Sequence, residues 1–312
     1  MSSSTPTTTP TPSLPAQCRR PSAFLLWAAL IGTLLCWSFN YVAAKTALRH
    51  MNAVTLAVLR LPLAALLMLP LYFLRRNRPK VRARDLWPFL YLGLFGSLVN
   101  QVCFTIGLSR TTSQRSVIFF ALSPLLILVL ARIMKLEALT PMKILGMAIS
   151  FLGVILLESE RGSPLHSTFL LGDLITLASS LSFCIYAVLG KRVAAQYDAI
   201  SMNTFNLLAA SLIAMPFTIH QAIHLDWKSV SWAGWAGMLY MAVFSAILGY
   251  TLFYWVLRYM EASRVAALNY FQPVIVLILA AAFLGESPSR HLLAGGALVL
   301  LGVYLAERVT SS

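Results

Sequence analysis

The sequence predicts an all-α integral membrane protein whose ten transmembrane helices form two inverted five-helix repeats. Three observations carry this. The 312-residue chain is 59% hydrophobic and 11% charged. A soluble domain carries about a quarter charged residues, so this chain cannot cover itself with polar surface and its solvent is mostly lipid. Its apolar residues fall into about ten stretches of roughly 17 to 25 residues, the length that crosses a bilayer as a helix. The second half also repeats the first at a fixed offset. β-barrel spans would alternate in polarity over short segments, and these do not.

The elements follow in order. Met1 to Pro21 is rich in Ser, Thr and Pro and has no acidic residue, so residues 1–22 are expected to be a disordered tail. The first span, 23–44, is longer than a signal-peptide apolar region and lacks a clear small-residue cleavage site, which favours an uncleaved helix over a leader. The second, 53–74, carries Arg60 and Pro62. A basic run from Arg75 to Arg84 precedes the third, 86–108, with Gln101 and Thr105. The fourth, 113–134, contains Pro124, and the fifth, 143–158, is the shortest. A linker at 159–170 leads to spans at 171–190, 200–220, 233–257, 264–284 and 289–306, with a short tail at 308–312.

A formal charge of +14 invites a nucleic-acid reading, but the location of the charge argues for a membrane. With the N-terminus in the cytoplasm, 16 Lys and Arg residues lie on the inner side and 7 on the outer, with Arg60 inside a span. That is the positive-inside pattern. The Arg75–Arg84 run is then a topological anchor beside anionic lipid. Both termini are placed in the cytoplasm and the protein in the cell inner (plasma) membrane. The partners this implies are the bilayer, a small-molecule substrate and, left open, a second copy in a homodimer; nucleic acid is excluded. Cys18, Cys36, Cys103 and Cys184 form no close pair and no Cys/His spacing for zinc, so no metal or cofactor is expected.

At an offset of 149, residues 95–158 fall on 244–307 without a gap, and 16 of 64 positions are identical. The matches with weight pair Arg115 with Arg264, Pro124 with Pro273, Glu137 with Glu286, Gly146 with Gly295 and Gly153 with Gly302. The front of each half aligns at 146, pairing Lys45 with Lys191 and Pro70 with Pro216. The units are residues 23–158 and 171–307. Five helices per unit is an odd number, so the second unit enters the membrane from the opposite side. Inverted repeats are a recurrent transporter design, exchanging outward-open and inward-open states around a midplane site.

Three segments resemble the EamA-type family of the drug/metabolite transporter superfamily. They are Trp37-Ser38-Phe39-Asn40-Tyr41-Val42-Ala43-Ala44-Lys45, the Leu59-Arg60 pair, and a pattern that occurs twice. Its first copy runs from Ser113-Gln114-Arg115 to Pro124 and Glu137, its second from Ser263-Arg264 to Pro273 and Gly285-Glu286. One departure is Lys135-Leu136-Glu137, where the family usually has Gly before Glu. The resemblance implies export of amino acids or other small polar metabolites.

Arg60 is the one charge well inside a span, about 10 Å deep at the helical rise, and such a charge is a functional candidate. Its guanidinium would bind a substrate carboxylate or phosphate; snorkelling to the interface or pairing with a helix-end glutamate is the alternative. The repeat sets Asn206 opposite Arg60. Gln101 and Thr105 share a helix face, and their equivalents are Tyr250 and Tyr254. Asn40 maps onto Tyr186, while Phe120 and Ser123 map onto Asn269 and Gln272. Such a cavity, polar on one wall and tyrosine-rich on the other, suits a small zwitterion with an apolar side group. Helix–helix glue is the competing role for each polar residue. Pro124 and Pro273 are expected to kink equivalent helices and are gating candidates. Arg115, Arg264, Glu137 and Glu286 stand at span ends, where topology or capping accounts for them.

No carboxylate or histidine is placed for a midplane proton relay, which favours a uniporter or substrate-gradient exporter over a proton antiporter. No catalytic cluster points to an enzyme, no glycine-rich phosphate loop to an ATPase, and no ring of carboxylates to a channel.

Overall fold

A computed structural model describes residues 21–76, 86–133, 140–158, 169–194, 196–260 and 271–308. Among these every regular element is helical. Helix α1 (Ala23–Leu48) starts where the Ser22 hydroxyl accepts from Leu25 N, and α2 (Ala53–Phe73) where the Asn52 side chain accepts from Val54 N at 2.8 Å. The third helical run is α3 (Leu86–Leu92), a π-helical stretch (Gly93–Val99) and α4 (Asn100–Arg110). Then come α5 (Ser113–Phe120), α6 (Ser123–Ile133), α7 (Pro141–Glu158), α8 (Leu170–Ala194) and α9 (Ala199–His224). The chain continues as α10 (Trp232–Tyr240), a second π stretch (Met241–Gly249) and α11 (Tyr250–Leu257). It closes with α12 (Gln272–Leu279), a short π stretch (Ala280–Leu284) and α13 (Arg290–Arg308).

Six runs are long and apolar enough to cross a membrane: Ala23–Leu48, Ala53–Phe73, Leu86–Arg110, Leu170–Gly190, Ala199–His224 and Trp232–Leu257. Pro141–Leu156, Gln272–Leu284 and Arg290–Leu305 are shorter apolar helices. The stretch expected as one span at 113–134 is instead two helices with a turn at Ala121–Leu122. The reason is chemical: Pro124 has no N–H to return to the Phe120 carbonyl. That carbonyl accepts from the hydroxyls of Ser123 and Ser180 instead. Pro62 acts likewise in α2, where the freed Val58 carbonyl accepts from Thr218 Oγ1 of α9 at 3.2 Å. Pro273 sits in the first turn of α12, where a missing N–H costs little; residues 261–270 lie outside those described.

Helix α7 packs along α13, α4 along α8, α2 along α9, and α1 along the α10–α11 run. The α7–α13 contact depends on small residues. A Cβ on Gly302 would stand 2.4 Å from Gly146 O, and one on Gly153 would stand 2.7 Å from Gly295 O. Ser150 Oγ also donates to Val299 O at 3.0 Å. Such close approach is how helices associate where lipid removes the hydrophobic drive. Large apolar side chains, among them Phe24, Leu66, Phe151, Phe217 and Trp232, face outward.

Among the described residues the two largest of four buried clusters flank the site. One gathers Tyr41, Leu56, Phe104, Ile118 and Val299; the other gathers Leu30, Phe89, Phe183, Tyr186, Tyr250 and Tyr254.

Candidate functional site

A cavity touches both clusters and encloses about 460 Å³ of space free of atoms, part of it open to the outside. Helix α1 contributes Trp37, Asn40 and Tyr41, α2 contributes Arg60, and α4 contributes Asn100, Gln101 and Phe104. Phe120 ends α5 at the wall, Phe183 comes from α8, and Ser245, Tyr250 and Gln272 complete the lining.

Arg60 is the one charged residue of this wall. It is 2% exposed, so it does not snorkel to the interface. Its Nη2 donates to the Gln101 carbonyl at 3.1 Å, and its Nε has no partner. Among the described residues no carboxylate pairs with it. A buried guanidinium without a counter-ion costs several kcal/mol, roughly the penalty of a desolvated ion. An anionic ligand would offset that cost; among the described residues the side chain neither reaches the surface nor pairs with a glutamate.

Hydrogen bonds tie the polar wall beside Arg60 to α8 and Tyr250. Asn100 Nδ2 donates to Ser179 O at 2.9 Å, Ser179 Oγ donates back to Asn100 O at 2.7 Å, and the Tyr250 hydroxyl donates to Asn100 Oδ1 at 3.1 Å. The aromatic wall centres on Trp37, whose ring lies 5.3 Å from Tyr250, 5.5 Å from Phe253 and 5.7 Å from Phe183, centroid to centroid. Trp37 Nε1 and Asn40 Oδ1 are buried without a hydrogen-bond partner. Buried orphans of this kind are uncommon and call for an explanation.

Of the residues expected at the site, Asn40, Arg60, Gln101, Tyr250 and Gln272 meet at this wall. Thr105 does not line it; its hydroxyl donates to Gln101 O at 2.8 Å. Tyr186 and Tyr254 are buried with their hydroxyls bonded to each other. The Tyr186 ring occupies the place a side chain on Gly96 would need. Asn206 donates to Ser97 Oγ at 2.8 Å, on the first π stretch. Asn269 lies outside the described residues, as do Arg264 and Glu137.

Sequence reasoning missed Trp37, Tyr41, Asn100, Phe104, Phe183 and Ser245 as lining. It also missed the π stretches, whose freed carbonyls take side-chain donors. Ser182 Oγ donates to Phe95 O at 2.7 Å, and Asn203 Nδ2 donates to Ala246 O at 2.9 Å and Ile247 O at 3.1 Å. π insertions of this kind often accompany functional sites.

A second polar cluster ties α1, α5, α8 and the turn after α12 together. Arg115 donates to Asp173 Oδ2 through Nε at 3.0 Å and Nη2 at 2.6 Å, both side chains being buried, and Thr111 donates to Asp173 Oδ1 at 2.6 Å. Gly285 takes a left-handed conformation at φ 70° and ends its helix, leaving Glu286 to accept from Ser113 N and Gln114 N at 3.0 and 3.3 Å. A carboxylate on the first turn of α5 satisfies orphan amides and meets the positive end of the helix dipole. Lys45 Nζ donates to Thr111 O at 2.5 Å.

The described residues form a helical bundle with an apolar exterior around a cavity whose polar and aromatic wall holds one buried cation. The chain belongs to the EamA-like transporter family, whose family model matches residues 24–159 and again 170–308. It is therefore a multi-pass membrane protein. It is 26% identical over 282 residues to an "Uncharacterized transporter" of Archaeoglobus fulgidus, covering 90% of this chain and 98% of that one. It is 26% identical over 287 residues to the "Probable terminal-alkyne amino-acid exporter" of Streptantibioticus cattleyicolor, covering 91% and 94%. It is 27% identical over 281 residues to the "Probable amino-acid metabolite efflux pump" of Salmonella typhimurium, covering 86% and 90%. A solved crystal structure superposes with a TM-score of 0.64 at 19% identity, over 90% of this chain and 98% of that one, a likeness of fold alone.

Proposed function

We propose that this protein is a secondary transporter that exports small amino-acid-like metabolites by alternating access between two inverted five-helix repeats, residues 23–158 and 171–307. The observation that carries the reading is Arg60, a buried guanidinium with no carboxylate partner among the described residues, in the wall of a cavity otherwise polar and aromatic. Two of the relatives bear names that refer to amino-acid export.

Several features support the repeat. The π stretch Gly93–Val99 falls within Met241–Gly249 at the 149-residue offset. The N-caps Asn52 and Asp198 coincide at 146. The contact of Gly302 with Gly146 becomes that of Gly153 with Gly295 when the two halves are exchanged. Ten spans follow if α5 and α6 together make the fourth and the three shorter apolar helices make the fifth, ninth and tenth. The distribution of Lys and Arg supports both termini in the cytoplasm and an inner-membrane location. The cavity wall carries no acidic residue among those described, which supports uniport or substrate-gradient export over proton antiport.

The test is uptake of a labelled amino-acid panel into proteoliposomes, with and without a proton gradient, for wild type and Arg60→Ala. Saturable uptake lost by at least about tenfold in the variant, an effect above 1.4 kcal/mol, is expected, with no dependence on the gradient. Equal uptake by the two proteins, both well folded, refutes the role of Arg60.

A further inference from the structure

We infer that Asn40 is the residue that reads the substrate's amino group, so that the cavity accepts a monocarboxylate bearing one neighbouring donor and rejects amines that lack the carboxylate. This rests on the proposed transport of amino-acid-like solutes and adds what selects among them.

The argument is an inventory of charge and of unpartnered atoms. The wall holds one formal charge, the Arg60 guanidinium. The buried Asp173 is committed elsewhere, accepting from Arg115 and Thr111. A ligand must therefore bring a negative charge, and a ligand carrying only a cation would set like charges together in a low-dielectric space. An ammonium beside the carboxylate finds no carboxylate on the wall. It must be met by a neutral acceptor or by an aromatic face. Among the lining residues the one buried side-chain acceptor without a partner is Asn40 Oδ1. Asn40 shares α1 with Trp37, the centre of the aromatic wall, so the acceptor and the rings are held by one helix. An unmet acceptor is stabilised by a ligand N–H and gains nothing from a bare carboxylate. Sites built to bond a polar group reject the analogue lacking it far better than apolar pockets discriminate by size.

The experiment measures equilibrium binding to the full chain in nanodiscs for three probes: L-leucine, 4-methylpentanoate (leucine without its amino group) and 3-methylbutylamine (leucine without its carboxylate). Wild type is expected to bind L-leucine at least about tenfold more tightly than 4-methylpentanoate, and not to bind the amine. In Asn40→Leu the ratio of the two carboxylates falls toward one. In Asn40→Asp the added carboxylate offsets Arg60, so 4-methylpentanoate weakens and 3-methylbutylamine gains binding. That gain cannot arise from misfolding. An undiminished leucine preference in Asn40→Leu, or no amine binding in Asn40→Asp, overturns the inference while leaving the transport reading in place. Wild type that binds none of the three overturns both.

Discussion

At the scale of single residues, what matters is which polar groups have partners. Arg60 was legible in the sequence because a lone charge inside an apolar span has few innocuous explanations. Its neighbours Asn100 and Phe183 were not, because an amide or a phenyl ring in a membrane helix looks the same whether it lines a cavity or packs against a helix. Thr105, Asn206 and Tyr254 illustrate the converse. Each shares a periodic face or a repeat position with a lining residue, yet Thr105 Oγ1, Asn206 Nδ2 and the Tyr254 hydroxyl are engaged by Gln101 O, Ser97 Oγ and Tyr186 respectively. Spacing assigns a face; it does not say how much of that face a neighbouring helix covers. Thr218 shows how a proline creates demand elsewhere, since Pro62 frees the Val58 carbonyl that Thr218 satisfies. Thr218→Val keeps the shape and removes the donor. Its expected cost is about 1 kcal/mol, between the membrane average and the full penalty of a buried unmet acceptor, read as a lowered Tm in detergent. An unchanged Tm would show that the carbonyl needs no partner.

At the scale of elements, helix ends and interruptions organise the molecule. The prolines at 62, 124 and 273 were visible, and the break between α5 and α6 follows from one of them. The π stretches were not, because an inserted residue leaves the pattern of apolar residues nearly unchanged. The start of α9 gives a quantitative case. Asp198 caps it, accepting from Ile200 N at 3.1 Å, Ser201 N at 3.2 Å and Ser201 Oγ at 2.7 Å, and it pairs with Arg75. Burial alone would push this carboxyl up, but the Ser201 hydrogen bonds and the Arg75 guanidinium together hold it below its ordinary value. A carboxyl lowered in the folded state stabilises the protein above its unfolded pKa, and that contribution is lost as pH falls through the folded one. Asp198→Asn keeps a good cap but removes the charge. Wild type is therefore expected to unfold at a higher temperature than Asp198→Asn at neutral pH. The gap should close below about pH 4, the ordinary carboxylate range. A gap independent of pH would mean that the charge contributes nothing.

At the scale of the whole molecule, the class of fold, helical and membrane-spanning, was legible in the sequence. Composition and apolar run lengths pointed to a helical membrane protein, and self-similarity pointed to two related halves. The family model that matches twice and the shared positions of the π stretches accord with that duplication. What pattern could not supply is the way the helices converge, which decides that Trp37, Arg60, Gln101 and Tyr250 meet at one wall while Tyr186 turns to Tyr254. In the proposed cycle, a cavity with a single cation carries a carboxylate across without a proton relay, and its two mouths alternate as the halves exchange conformations. The most direct test is counterflow of labelled L-leucine into proteoliposomes preloaded with unlabelled L-leucine and held without any ion gradient. The account predicts a transient accumulation above equilibrium in wild type that is absent in Arg60→Ala. A flat trace from folded wild-type protein, or the same overshoot in the variant, would contradict it.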